Sequence, residues 1–263
     1  MGIHLHAIRL RIALLVCDTP LPVVIEKYGD YEKLFGELLR QGATAYSVST
    51  KPVNLEIQAF NVVEGQYPDD ISSFSAFVLT GSKYSAYEDL DWIKKLKRFM
   101  LRVDAESTAK VVGVCFGHQI IAEALGGKVV KNPAGWEVGW TPTTLTPLGE
   151  TTLKTGMKVH NVHQMHQDHV SVLPSGFKVL ASTDKCPIQM AVRGDRYLTI
   201  QGHPEFTAGV VTEIVKARQA SNVFAADMAA TVLSRVDNAV DNSWFGKKMV
   251  GFMVGTIDSK EEA

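Results

Sequence analysis

In GVCFGHQ (residues 113–119) a cysteine stands between two glycines, each two positions away, with His118 and Gln119 following. Far downstream, YLTIQGHPEF (197–206) sets His203 and Glu205 on either side of Pro204. Thiol, imidazole and carboxylate are the parts of a nucleophilic relay, in which a base within about 3 Å takes the thiol proton and an acid orients the base. His118 is near in sequence but poorly placed. It falls in the first turn of the helix that GVCFGHQ opens, while the thiol projects from the turn in the opposite sense. His203 suits the role better. Residues two apart in an extended segment share a face, so Glu205 can orient the imidazole that His203 presents to Cys115. Pro204 stiffens the pair and helps end the strand. Alone, a buried core cysteine and a surface His–Glu pair would be the ordinary readings; together they favour the order Cys115, His203, Glu205.

Such a site needs elements that bring positions 115 and 203 together. Residues 9–16, 74–80 and 110–114 are short, almost continuous apolar runs, as expected of strands covered on both faces. EKLFGELLRQG places Leu34, Phe35, Leu38 and Leu39 at helical spacing, with Gly42 set to end the helix and a strand expected over 43–49. DLDWIKKLKRFMLRV reads as a helix with Trp92, Leu96, Phe99 and Val103 on one stripe and its lysines on a solvated face. From about 127 to 201 the chain turns Thr-, Val- and Gly-rich, as for hairpins or added strands; helical pattern returns after Pro204. The fold class is therefore α/β, an open, mostly parallel sheet flanked by helices, with an antiparallel extension. Ligands bind beyond the carboxyl ends of such strands, where Cys115 falls. A nucleophile on so sharp a turn has strained backbone angles and needs small neighbours, which the glycines supply. The helix N–H groups aimed at the sulfur favour thiolate, and the Phe116 N–H would face a developing oxyanion.

A formal net charge of -1 gives no electrostatic footprint for nucleic acid or an anionic membrane. Cys17, Cys115 and Cys186 form no CxxC pair, so a disulfide framework is not expected; Cys17 and Cys186 read as core residues. The apolar run 12–16 is too short for a signal core, His6 breaks a myristoylation pattern, and no span of membrane length occurs. A cytoplasmic protein is expected, with one domain over residues 1–255 and a frayed tail over 256–263.

Three strings, TGSKYSAY (80–87), GVCFGHQ and QGHPEF (201–206), resemble in order and spacing the class I glutamine amidotransferase family, over roughly residues 9–216. VCFGHQIIAEALGG looks especially like stand-alone members, such as GMP-synthase-like proteins and γ-glutamyl peptidases. The resemblance implies a flavodoxin-like sheet and a Cys115–His203–Glu205 triad acting on the γ-carbonyl of glutamine or a γ-glutamyl compound through a glutamyl thioester. It also implies an oxyanion hole from the Gly81 and Phe116 N–H groups. Gln119, Ser82, His166 and Asp168 would contact substrate, the last two in an H-x-D stretch. No cofactor is implied. The family's common oxyanion loop reads Gly-Gly-Pro, whereas here Thr80-Gly81-Ser82 is followed by the bulky Lys83. There is no ATP pyrophosphatase or Walker motif, so any ammonia acceptor would sit on another chain.

Other readings remain open at this level. The chain could be a glutaminase subunit feeding a synthase partner, or a binding protein that keeps the fold. His160, His163, His166 and His169 recur every third residue, but on a strand they alternate faces, so no metal is expected. Trp244, Phe245, Met249 and Phe252 form an apolar stripe that either packs on the domain or offers a partner or dimer surface.

Overall fold

The computed structural model describes residues 7–47 and 51–256. In chain order the first half contains β1 (Ile8–Val16), α1 (Pro22–Tyr28), α2 (Tyr31–Ser47), β2 (Val53–Asn61), β3 (Ala76–Leu79), α3 (Asp91–Glu106), β4 (Lys110–Val114) and α4 (Phe116–Ala124). There follow β5 (Lys128–Lys131), β6 (Glu137–Leu145), α5 (Pro147–Thr152), β7 (Val159–His166), β8 (Asp168–Val172), β9 (Lys178–Ser182), β10 (Met190–Arg193) and β11 (Tyr197–Ile200). The chain then runs through α6 (Ala208–Ala220), α7 (Ala226–Leu233) and α8 (Asn242–Val254).

A nine-stranded sheet runs in the order β2-β1-β3-β4-β11-β10-β9-β6-β7, and β5 pairs with β8 in a small ribbon. Strands β2, β1, β3, β4 and β11 are mutually parallel, whereas β10, β9, β6 and β7 extend the sheet in antiparallel pairs. This is the mostly parallel sheet with an antiparallel extension expected from the alternating patterns. The central strands are buried on both faces, which is why β3 reads AFVL and β4 reads KVVGV without polar alternation. One apolar cluster, with Phe35, Leu39, Phe245 and Phe252, covers one face; another, with Phe77, Phe99, Leu96 and Ile120, covers the other.

Two expectations change. Gly42 does not end α2, and no strand begins at Ala43; the helix continues to Ser47, and the strand comes later, as β2. A side chain at Gly42 would lie 2.3 Å from the Gly246 carbonyl, so the glycine serves a close crossing of α2 and α8. Crossing, not capping, explains it. Positions 48 and 49 of the expected strand, and residues 257–263 of the expected tail, lie outside the described residues. The apolar stripe of α8 faces inward: Phe245, Met249 and Phe252 are buried, and Trp244 stacks on His160 at 3.5 Å. It packs on the domain and is not an open partner surface. In α3, Leu96, Phe99 and Val103 are buried as expected, and half-buried Trp92 packs on Tyr84 and Phe116. Among the described residues no helix is long and apolar enough to cross a membrane.

Candidate active site

Strand β4 ends at Val114 and α4 begins at Phe116, leaving Cys115 alone on the turn with φ 51° and ψ −103°. A non-glycine residue rarely adopts this conformation, and the surrounding bonds enforce it. The Cys115 N–H donates to the Ile200 carbonyl of β11 (2.8 Å), and its carbonyl accepts from the Gln119 N–H (3.0 Å). The two glycines have the predicted steric reason. A side chain at Gly113 would lie 2.5 Å from the Gly117 carbonyl oxygen, and one at Gly117 would lie 2.5 Å from that of Leu79.

β11 is the neighbour of β4, so its carboxyl end delivers His203 beside the thiol. The His203 N–H donates to the His163 carbonyl of β7 (2.8 Å), and the ring stacks on Phe206 at 4.1 Å between centroids. Nδ1 bonds Glu205 Oε1 at 2.7 Å, and the ring lies beside Cys115, since a side chain at Gly81 would touch both residues. His203 and Glu205 are both buried. Burial alone would lower the basicity of His203, but the charge on the Cys115 sulfur and the Glu205 carboxylate, with their hydrogen bonds, outweigh it and push its pKa up to about 10. His118, the local rival, points elsewhere: it is buried, with Nδ1 on Thr199 Oγ1 at 2.8 Å, and burial followed by the charge of His166 drives its pKa down to about 3.

The loop after β3 closes the third side. Gly81 lies so close that a side chain there would meet His203 Cε1 at 2.7 Å and Cys115 Cβ at 3.7 Å. Among the described residues, neither the Gly81 nor the Phe116 N–H is taken by another protein acceptor. Asp18, at the end of β1, anchors this loop by accepting from the Lys83 N–H (2.8 Å) and from Lys83 Nζ (2.7 Å). The Lys83 side chain is thus held as half of an ion pair with Asp18.

A cavity of about 250 Å³ opens at the sulfur. Ser82, Gln119, His166 and Asp168, all expected at the site, line it together with Cys115. Gln119 Nε2 donates to the Asp168 carbonyl (2.9 Å) and to Gln201 Oε1 (3.1 Å), so this side chain is itself held in place. His166 Nδ1 pairs with the Asp168 carbonyl at 3.0 Å, and its Nε2 with Glu137 Oε2 at 2.9 Å. The Asp168 carboxylate accepts from Ser85 Oγ and, at 3.1 Å, from the Tyr87 hydroxyl. Tyr84, Lys131, Trp136 and Arg218 also line the cavity and were missed in the sequence reading. Arg218 gave no signal beyond an ordinary helix charge in KARQ.

The four regularly spaced histidines scatter, as strand geometry requires. His160 stacks on Trp244, His163 backs His203, His166 joins Glu137, and His169 lies in β8. Among the described residues the close grouping of metal-type ligands is instead Glu137, His166 and Cys186, and each already has protein partners.

The profile of the class-I glutamine amidotransferases matches residues 30–218 of this chain. The chain belongs to that family. A glutamine amidotransferase-like protein of Schizosaccharomyces pombe is 39% identical over 248 residues, covering 92% of this chain and 98% of the yeast protein. Gamma-glutamyl peptidase 3 of Arabidopsis thaliana is 31% identical over 217 residues, covering 79% of this chain and 80% of the plant protein. In fold, a glutamine amidotransferase from Thermotoga maritima superposes with a TM-score of 0.71 at 18% identity, covering 95% of this chain and 99% of that one. Around Cys115 the fold thus gathers a thiol on a strained turn, an imidazole held by a carboxylate and, among the described residues, N–H groups that no other protein acceptor takes.

Proposed function

We propose that this chain is a cysteine hydrolase of γ-glutamyl amide bonds, working through a glutamyl thioester. The observation that carries the reading is Cys115 opening onto a cavity whose walls include Gln119 and Asp168, with His203 beside it and bonded to Glu205. The Cys115 sulfur attacks the γ-carbonyl carbon, and the developing oxyanion receives the Gly81 and Phe116 N–H groups. The C–N bond breaks as Nε2 of His203 passes its proton to the leaving nitrogen, while Glu205 holds Nδ1. Neutral His203 then takes a proton from water, the hydroxide adds to the thioester carbon, and the C–S bond breaks to release glutamate and thiolate. The Asp168 carboxylate suits the α-ammonium of the glutamyl head, and Lys131 its carboxylate. The name of the Arabidopsis relative, which matches most of the chain, supports a hydrolytic reading.

The test is rapid-quench mass spectrometry on the full chain with glutamine and γ-glutamyl dipeptides. A mass gain of one glutamyl group on the Cys115 peptide, absent in Cys115→Ala, is the expected result. Full turnover by Cys115→Ala would overturn the proposal.

A further inference from the structure

In the proposed reaction the scissile bond lies between Cys115, which takes the acyl carbon, and His203, which gives the leaving nitrogen its proton. These two groups open onto different spaces. Cys115 lines the polar cavity just described, whereas His203 lines a second cavity of about 420 Å³. The two cavities meet along Ser82, Lys83, Met165 and Arg218, which line both. Nδ1 of His203 is occupied by Glu205, so the proton leaves from Nε2, and the departing amine lies on the His203 side of the seam.

We infer that the second cavity is the leaving-group subsite, and that it takes an amino acid or peptide with an apolar first side chain and a free carboxylate. This rests on the hydrolase reading above. Beside the polar Thr19, Tyr31 and Ser221, the walls carry Val24, Leu34, Phe206, Val210, Ile214 and Val223, a mostly hydrocarbon surface that a departing ammonia molecule leaves unused and that buries a branched or aromatic side chain. Charge decides the other half. Asp18 and Lys83 neutralise each other at 2.7 Å. Arg218 has no such partner: among the described residues its guanidinium makes no ion pair, and it rests over the rings of Trp136 (4.9 Å) and Phe224 (5.5 Å). A half-buried guanidinium held between two aromatic rings, with its N–H fork unpaired with any described carboxylate, is a ready partner for a carboxylate. Its place on the seam puts that carboxylate a few bonds from the scissile nitrogen, as in the first residue of a leaving amino acid.

The experiment compares kcat/KM of the full chain on glutamine, γ-glutamylglycine, γ-glutamylleucine and γ-glutamylleucinamide. γ-Glutamylleucine is expected to exceed both glutamine and γ-glutamylglycine by about tenfold or more. Capping its carboxylate as the amide is expected to cost about tenfold. Ile214→Trp, and separately Val223→Trp at the exposed rim, should cut the ratio of γ-glutamylleucine to glutamine by about tenfold. Arg218→Met should abolish the difference between acid and amide. Two variants guard against a folding artefact, because a merely damaged protein lowers all four substrates together and leaves the ratios where they were. Equal use of glutamine and γ-glutamylleucine, or ratios unmoved by either tryptophan, would overturn the subsite while leaving the hydrolase reading intact. Failure of every substrate to acylate Cys115 would remove both.

Discussion

Among the described residues, cysteine, histidine and glutamate come together in two buried groupings, and the proposed chemistry uses one of them. Cys115, His203 and Glu205 sit at the carboxyl ends of β4 and β11; Cys186, His166 and Glu137 sit where β6, β7 and the segment before β10 converge. The residue types are identical, so the difference lies in what each group has left to give. His203 spends Nδ1 on Glu205, and its ring lies beside Cys115. His166 spends both nitrogens, on Glu137 and on the Asp168 carbonyl. Glu137 is fully engaged as well, accepting from Thr183 Oγ1 (2.7 Å) and from Gln189 Nε2. Cys186 leans on the Ile188 carbonyl at 3.5 Å, and burial pushes its thiol up to about 12. Saturation makes the second grouping a brace. It fixes the Asp168 carbonyl, which in turn holds Gln119.

Removing the two sulfurs should separate the groupings most sharply. Cys115→Ala is expected to lower γ-glutamyl hydrolysis by about 10^4-fold, whereas Cys186→Ala should change it by less than about threefold. The same Cys115→Ala variant carries a spectroscopic check. The sulfur charge is the foremost influence raising His203, so its ring should titrate below the wild-type value of about 10, read by carbon-13 NMR of the imidazole. An unchanged titration would mean that no thiolate–imidazolium pair exists.

The carboxylates come next. Glu205→Gln keeps the shape but loses the charge that orients and stabilises the imidazolium, so kcat should fall by about 10^3-fold. Glu137→Gln should lower kcat/KM only about tenfold, mostly through KM, because it loosens the support under Gln119 and not the proton path. Stability reverses the order of interest: breaking the buried Glu137–His166 pair should cost about 3 kcal/mol in urea titrations. Equal kinetic losses in the two variants would erase the distinction between reacting group and brace.

Much of this contrast was readable from the chain, for reasons particular to each segment. The elbow announces itself because a strained turn between a parallel strand and a helix admits few residues, and Gly113 and Gly117 answer contacts of 2.5 Å. His203 and Glu205 were legible because the i, i+2 rule of extended backbone fixes their face. Gly42 misled because a glycine in a helix can mean an ending or a crossing, and the partner, Gly246, lies two hundred residues away. Arg218 and the brace were illegible for the same reason. Their meaning depends on side chains from distant elements, and a periodic pattern within one element carries no trace of them.

The smallest effect concerns His118, the histidine beside the nucleophile that takes no part in the proposed chemistry. Its pKa of about 3 means that, between the ordinary value near 6.5 and that folded value, the unfolded chain binds a proton that the folded chain refuses. Its contribution to stability is therefore full above about pH 6.5 and is lost as pH falls, by about 1.4 kcal/mol per pH unit. His163, lowered to about 4 by burial and by the neighbouring His203, adds a second loss of the same sign over most of that window. His118→Asn preserves a polar atom for Thr199 and removes one titration. Between pH 6.5 and 4.5 its unfolding free energy should accordingly decline less steeply than that of wild type, by about 1.4 kcal/mol per unit, with glutamyl hydrolysis near neutral pH within about threefold of wild type. Urea titrations at three pH values measure the slopes. Parallel slopes would mean that His118 is protonated in the fold after all, and a collapse of turnover at neutral pH would return it to the list of candidate bases from which its contact with Thr199 removed it.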